Sequence, residues 1–474
     1  MSDLREWLAK VEAKGEVKTL KGVPWDLDIG VISELVERQQ NRPVLLFDEV
    51  PGYPPGYRVL LNALGSQERF NMTVNLPTGP SLMETVQEWR RRSKELKLVP
   101  PRFVDSGPVM ENTAFGEEVD VLKFPAPRWH EHDGGRFIGT ADAIITKEPD
   151  GSWVNVGTYR VMVHDRNHVG LMIVPSHHGR WHMDQWLAQG KPMPVAIVAG
   201  MDPLLFVVAS RELPAGLNEY EYAGAIQGEP VDVIEGPITG LPIPAGAEIV
   251  LEGFVDPEER RLEGPFGEYT GYYAGGVRPQ PVVRVEAVYH RNNPIILGAP
   301  PLKPPVAREH NRRVMQAALI LDGLEAAGIP DVVGAWPHIV GSYFIVIAIK
   351  QRYPGHAKQA VWTAAQSYAG GMIGRFTVVV DEDIDVTDLD EVLWAMCTRV
   401  DPDKDIQILK ECSSSPLDPM VPPERKGNAT SARVVIDATR PYEWRDRFPE
   451  VVASSPELKQ QVLDRWGAAL KGIV

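Results

Sequence analysis

The chain has almost no cysteine: Cys397 and Cys412 are the two in 474 residues. Two thiols in a chain this long make no disulfide framework, and no CxxC or Cys/His zinc spacing occurs. Basic charge is also short, with 49 Lys and Arg against 64 Asp and Glu and a net charge of -15. Nucleic acid and anionic membrane surfaces need a basic footprint, so neither is expected as a partner. A local basic pocket for a phosphate-bearing cofactor stays open. Long apolar stretches are missing too. PVAIVAG (194–200) and YFIVIAIK (343–350) fall far short of the roughly 20 residues of a membrane helix. The opening MSDLREWLAKVEAKGE is charged throughout and lacks the apolar centre of a signal peptide. Neither a P-loop nor GxGxxG after a strand is present, and there is no internal repeat. These absences predict a protein of the reducing cytoplasm.

What is present fits a multidomain α+β protein, since this length predicts two to three domains. Residues 3 to 14 read as an amphipathic helix with Leu4, Trp7, Leu8 and Val11 on one face and Gly15 at its end. A helix over 28–40, a buried strand over 43–50 and a helix over 81–96 complete an N-terminal α/β domain, 1–105. From 106 to 305 short β-type runs dominate, among them IGTADAIITK, WVNVGTYRVMVHD, LLFVVAS, AEIVLEGFVD and PVVRVEAVYH. Gly, Pro and Asp punctuate them, which predicts a barrel-like or sandwich β domain. A helix over 310–328 opens an α/β region, 306–474. A last amphipathic helix, 456–470, carries Leu458, Val462, Trp466 and Leu470 and is expected to pack on another subunit.

Seven of the eleven histidines lie between positions 130 and 182. A single histidine is far more often a surface or satisfied core residue than a ligand. His164 and His168 have helical metal-pair spacing, but Asp165, Arg166 and Asn167 between them read as a turn. The run EGPFGE, Glu263 to Glu268, is more informative. A tight Pro-Phe-Gly turn can aim both carboxylates into one cavity, where burial and repulsion raise at least one pKa. An acid so tuned donates a proton near neutrality. A solvated turn with two exposed acids is the alternative. Arg160, inside the strand-like NVGTYRVMV, is either an exposed face residue or a buried carboxylate clamp.

Five blocks then occur in order: NVGTYR (155–160), HDRNHVGLMIVPSHH (164–178), LPAGLNEYEYAGAIQGEPV (213–231), EGPFGEYTGYY (263–273) and LWAMCTRVDPDKDI (393–406). Together they resemble the UbiD family of decarboxylases, which use prenylated flavin mononucleotide. The resemblance implies an N-terminal α/β domain, a flavin-binding split β-barrel, and a C-terminal α/β domain that closes over the site. It implies a homodimer or homohexamer, a carboxylic acid substrate with CO2 as partner molecule, and a flavin prenyltransferase as cofactor supplier. Residue by residue, it places the catalytic triad on Arg160, Glu263 and Glu268. Divalent-metal ligands, for Mn2+ or Mg2+, fall on Asn155, His177 and Glu219. A K+ site falls mainly on the backbone of Val156, Val208, Ala209, Arg211, Glu219 and Arg399. Thr158, Tyr159, Ser176 and Arg211 join Asn155, Arg160, His177 and Glu219 as cofactor-binding positions. Asn and Glu oxygens with one imidazole suit a hard or borderline cation bridging to phosphate.

In the implied chemistry Arg160 grips the substrate carboxylate, Glu268 supplies the replacement proton and Glu263 holds Arg160. The substrate positions fall on Ile173, Ser176, His310, Arg312, Ser415 and Leu417, with Arg313 in place of Arg312 if the helix register shifts by one. Serine at 415, where cinnamate-type relatives tend to carry phenylalanine, leaves room for a hydroxylated, heteroaromatic or bicyclic acid. Lys426 and Arg433 are candidates for the flavin phosphate. Two rival readings stand beside this one: a flavin oxidoreductase on a split barrel, and an inactive family member serving as subunit or scaffold.

Overall fold

The computed structural model describes residues 3–39, 42–211, 213–339, 343–371 and 374–471, without the side chains of 307–312 and 368. The first helix, Leu4–Glu12, starts where the Asp3 carboxylate accepts from the backbone of Arg5 and Glu6, both at 2.9 Å. Leu4, Trp7, Leu8 and Val11 are its buried face, as their spacing predicts. The helix Leu82–Ser93 begins with a reciprocal capping box between Ser81 and Glu84. The helix expected over 28–40 spans Asp28–Glu37. These helices flank a four-stranded sheet of Val17–Lys21, Val44–Asp48, Arg58–Leu61 and, from much later in the chain, Ile295–Gly298. The chain thus returns to its N-terminal layer before its last third begins. Glu248 fastens the layers further. It is fully buried and accepts two bonds from Arg5, at 2.9 and 2.8 Å.

The middle of the chain forms a nine-stranded sheet that curls into a half-barrel. Its spine is the long antiparallel hairpin Ile249–Glu263 and Arg278–His290, in which Glu263 pairs with Arg278 at the open end. The run LLFVVAS departs from its expected strand. It forms the helix Pro203–Ala209, with Asp202 accepting from the Leu204 amide and proline in the first turn. Every residue of that helix is buried, so the run is apolar throughout and carries no period to tell helix from strand.

The helix Ala307–Ala326 leads into a five-stranded mixed sheet with Phe376–Asp381 at its centre. The terminal helix, Pro456–Leu470, buries none of its residues, and Leu458, Val462, Leu463 and Trp466 are exposed. Among the described residues, no helix is long and apolar enough to cross a membrane.

Candidate active site

Arg160 enters the sheet just ahead of the strand Val161–Val163, and Glu263 ends the longer strand of the spine hairpin. The loop 264–277 that closes this hairpin carries Glu268. Gly264 turns it with a φ of +85°, and a Cβ there would lie 2.6 Å from the Gly276 carbonyl oxygen. Phe266 then packs on Phe137, with ring centroids 4.1 Å apart. The Glu268 amide donates to the Tyr272 carbonyl at 3.0 Å, closing a tight turn. The three side chains meet. Arg160 Nε and Nη2 donate to the two oxygens of Glu263, at 2.8 and 2.7 Å, and Nη1 donates to Glu268 Oε1 at 2.6 Å.

Both acids are buried, Glu263 1% and Glu268 8% exposed, so the solvated-turn alternative does not describe this loop. One guanidinium between two carboxylates leaves a surplus negative charge if both acids ionise. The pKa of Glu268 responds: burial pushes it up to about 7, Arg160 opposing and Glu263 adding to the rise. A carboxyl there holds its proton near neutrality and can deliver it.

Arg160 and Glu268 lie on one side of a cavity of about 560 Å³. Phe266 and Tyr269 extend that side, and Met172, Val174 and Ser176 continue it. Arg313 and Gln316, from the helix Ala307–Ala326, and Ser415 and Leu417 face it from the C-terminal part. Ile173 is a correction. It is packed in the core beneath the sheet, and its neighbours Met172 and Val174 line the cavity, because successive side chains of an extended run point to opposite sides. The helix register places Arg313 at the cavity; the side chains of His310 and Arg312 lie outside the described residues.

A second cavity, of about 300 Å³, shares Thr158, Tyr159, His177, Ser210 and Arg211 with the first, so the two adjoin. Thr140, Asn155, His178 and Glu219 complete the polar part of its lining. Glu219 opens the helix Glu219–Gln227, capped by Asn218, and its Oε2 accepts the Val156 amide at 2.7 Å. Burial pushes its carboxyl up to about 7. Asn155 Nδ2 donates to the Tyr159 hydroxyl at 3.4 Å, and the Tyr159 ring lies 5.5 Å from that of His177. Among the described residues, no group of three or more His, Cys, Asp and Glu side chains could hold a metal. Asn155, His177 and Glu219, the expected divalent-metal positions, line this one cavity.

Val208 and Ala209 end the helix Pro203–Ala209 beside this cavity, where the Ala209 carbonyl accepts the Thr158 amide at 3.0 Å. Arg399 is not among the residues lining either cavity. Its guanidinium is buried against Asp381 and Asp383, at 3.1 and 2.8 Å, in the C-terminal sheet layer. Arg433 also faces inward, donating to the carbonyls of Ala365 and Ser413. Lys426 donates to the Ala274 carbonyl in the loop that carries Glu268. Sequence reasoning passed over Phe266 and Tyr269, although both sit inside the quoted EGPFGEYTGYY block. Gln316 shared a face with Arg313 three residues earlier and was legible from the helical period.

Comparison with known proteins gives the constellation a context. Residues 8–89, 102–304 and 311–438 match, in turn, the N-terminal, Rift-related and C-terminal domains of 3-octaprenyl-4-hydroxybenzoate carboxy-lyase. A pyrrole-2-carboxylic acid decarboxylase of Pseudomonas aeruginosa is 32% identical, over 98% of this chain and 97% of its own. A phenolic acid decarboxylase of Sedimentibacter hydroxybenzoicus is 33% identical, over 93% and 92%. The vanillic acid decarboxylase of Sedimentibacter hydroxybenzoicus, solved in open and closed forms, superposes with TM-scores of 0.85 and 0.84 at 30% identity, covering 100% of this chain in both and 98% and 99% of the solved chains. An evolved dimeric form of the UbiD-class enzyme HmfF from Pelotomaculum thermopropionicum, in complex with prenylated FMN, gives 0.81 at 29% identity, over 97% and 98% of the two chains. Three consecutive domain matches and whole-length relatives at this identity establish the lineage: the chain belongs to the UbiD family of decarboxylases.

Proposed function

We propose that this enzyme removes CO2, reversibly and without net oxidation, from an aromatic, heteroaromatic or α,β-unsaturated carboxylic acid bound in the larger cavity. The observation that carries the reading is Arg160 held between Glu263 and Glu268 at the cavity wall. Its fork is bonded unequally, twice to Glu263 and once, through Nη1, to Glu268. A substrate carboxylate entering the cavity displaces the singly bonded Glu268 from Nη1, while Glu263 keeps the guanidinium in place. Glu268, protonated below about pH 7, is then released to face the substrate carbon. As the C–C bond breaks and CO2 leaves, that carbon takes the proton of Glu268. The new carboxylate returns to Arg160 and regains a proton from water.

The adjoining cavities fit prenylated flavin mononucleotide, as the chemistry of the donor set indicates. Glu219 is a buried carboxyl with one oxygen on the Val156 amide, and Asn155 and His177 line the same cavity. These three would hold Mn2+ or Mg2+ against the flavin phosphate, with Arg211 beside it. The carbonyl end of the helix Pro203–Ala209, with Val156, suits K+. When bound, the cofactor supplies an electrophilic ring that accepts the electrons of the breaking bond. Ser415, Arg313 and Gln316 favour a substrate with a polar or bulky end opposite its carboxylate. The exposed stripe of the terminal helix supports assembly with a second copy.

The test is Glu268→Gln, prepared with a co-expressed flavin prenyltransferase. Loss of CO2 release and of H/D exchange on a panel of aromatic acids, with flavin absorbance retained, is expected. Full activity in this variant overturns the assignment. Turnover by the wild type with plain flavin and a reductant favours the oxidoreductase, and inactivity under every condition favours a scaffold.

A further inference from the structure

We propose that Lys426 is a positioning residue for Glu268, holding the far half of its loop from the C-terminal layer. The loop 264–277 is anchored from two parts of the molecule. The central sheet side fixes its beginning: Phe266 packs on Phe137, and the Gly134 amide donates to the Pro265 carbonyl at 2.9 Å. Tyr273 adds a bond from its hydroxyl to Asp133 at 3.3 Å. Two residues that follow Glu268 have partners in the C-terminal layer instead. The hydroxyls of Tyr269 and Tyr343 are 3.1 Å apart, and Lys426 Nζ donates to the Ala274 carbonyl.

Lys426 lies in the short 3-10 helix Pro423–Asn428 and is 9% exposed, so its ammonium has given up most of its water. Such a group is retained where protein acceptors and charges replace the solvent. Burial and the Arg278 charge lower its pKa, while Glu268 and Asp418 raise it, which puts the ammonium within electrostatic reach of the proposed proton donor. The bonded carbonyl is well placed to steer that donor. Ala274 precedes Gly275, where a Cβ would sit 3.0 Å from Glu268 Oε1 and 3.7 Å from Arg160 Nη2. Backbone at 274–275 is therefore the wall behind the Glu268–Arg160 bond, and glycine allows its close approach. The turn closed by Glu268 and Tyr272 is held from outside at Tyr273, by Asp133, and at residue 274, by Lys426, so its distance from Arg160 depends in part on what pins residue 274.

The proposal rests on the reading of Glu268 as proton donor, and its test separates the two. Hydrogen–deuterium exchange is followed on the full chain, with flavin bound, in the wild type, Lys426→Met, Lys426→Arg and Tyr343→Phe. Amides of 268–277 are expected to exchange roughly 10-fold faster in Lys426→Met. Tyr343→Phe, which removes a single hydroxyl, gives a smaller rise, and Lys426→Arg stays near wild type. On an accepted acid, kcat falls about 10-fold in Lys426→Met with KM little changed, and arginine restores it. Unchanged exchange of 268–277 in Lys426→Met overturns the proposal, whatever the activity. Faster exchange spread evenly over the whole C-terminal layer overturns it too, by making the role a general structural one. A wild type inactive on every acid overturns the proton-donor reading alone, because the exchange result still decides whether Lys426 holds the loop.

Discussion

On the central-sheet side of the larger cavity, Arg160, Glu263 and Glu268 are bonded to one another at 2.6 to 2.8 Å and shut away from solvent. Across the cavity stand Arg313, Gln316, Ser415 and Leu417, a cation, an amide, a small hydroxyl and an aliphatic chain. The first wall is a closed charge network, in which removing one member strands the others. The second is a mixed surface on one helix and one loop, where Ser415 or Leu417 can change without leaving a buried charge behind. The proposed function puts reaction chemistry on the first wall and substrate choice on the second. Their kinetic signatures should therefore differ.

The largest effect is expected on the first wall. Glu268→Gln should cost on the order of 10²- to 10⁴-fold in kcat, read as CO2 release, with flavin content unchanged. Arg160→Ala leaves two buried carboxyls facing each other. It should destabilise the fold by roughly 3–5 kcal/mol in urea unfolding, measured at pH 8. Recovery of that stability at low pH would confirm repulsion as the cause.

The pH profile is a milder probe of the same wall. Burial holds the Glu268 pKa at about 7, above the usual carboxylate range. The donor is thus protonated below that value and empties above it. kcat for decarboxylation should fall about 10-fold per unit once pH passes 7, and a flat profile to pH 9 would exclude Glu268 as the acid. Chelation tests the adjoining cavity. EDTA treatment, or His177→Ala, should release flavin on gel filtration, and added Mn2+ should restore binding to the treated wild type alone.

The smallest effect on catalytic rate, and the sharpest test of the comparison, comes from the second wall. Ser415→Phe narrows the cavity without touching the triad. It should shift the kcat/KM ratio between bulky and small acids by about 10-fold or more, leaving kcat for small acids nearly intact. An equal loss for all acids would mean that the two walls are not separate.

Much of this was legible in the chain because it is local. The helix Leu4–Glu12 announced itself by its apolar spacing, and Asn155, His177 and Glu219 sat within recognisable blocks. Ile173 was misplaced because alternation says that neighbours face opposite ways, not which faces the cavity. LLFVVAS was misread because uniform burial erases the period. Arg399 is tied to Asp381 and Asp383 by an ion-pair cluster that joins residues 16 and 18 positions apart, beyond any local pattern.

The two glutamates of EGPFGE mark the boundary between these kinds of knowledge. The sequence alone determined that two acids flank a turn at the end of a strand, and that the blocks around them belong together. Tertiary structure decided that the turn is buried, that Arg160 from 103 positions away divides its bonds unequally between the acids, and that Glu268 holds the raised pKa. Burial and charge geometry depend on which distant segments close over a residue. That closure also brings Lys426 to the Ala274 carbonyl across 152 positions of chain.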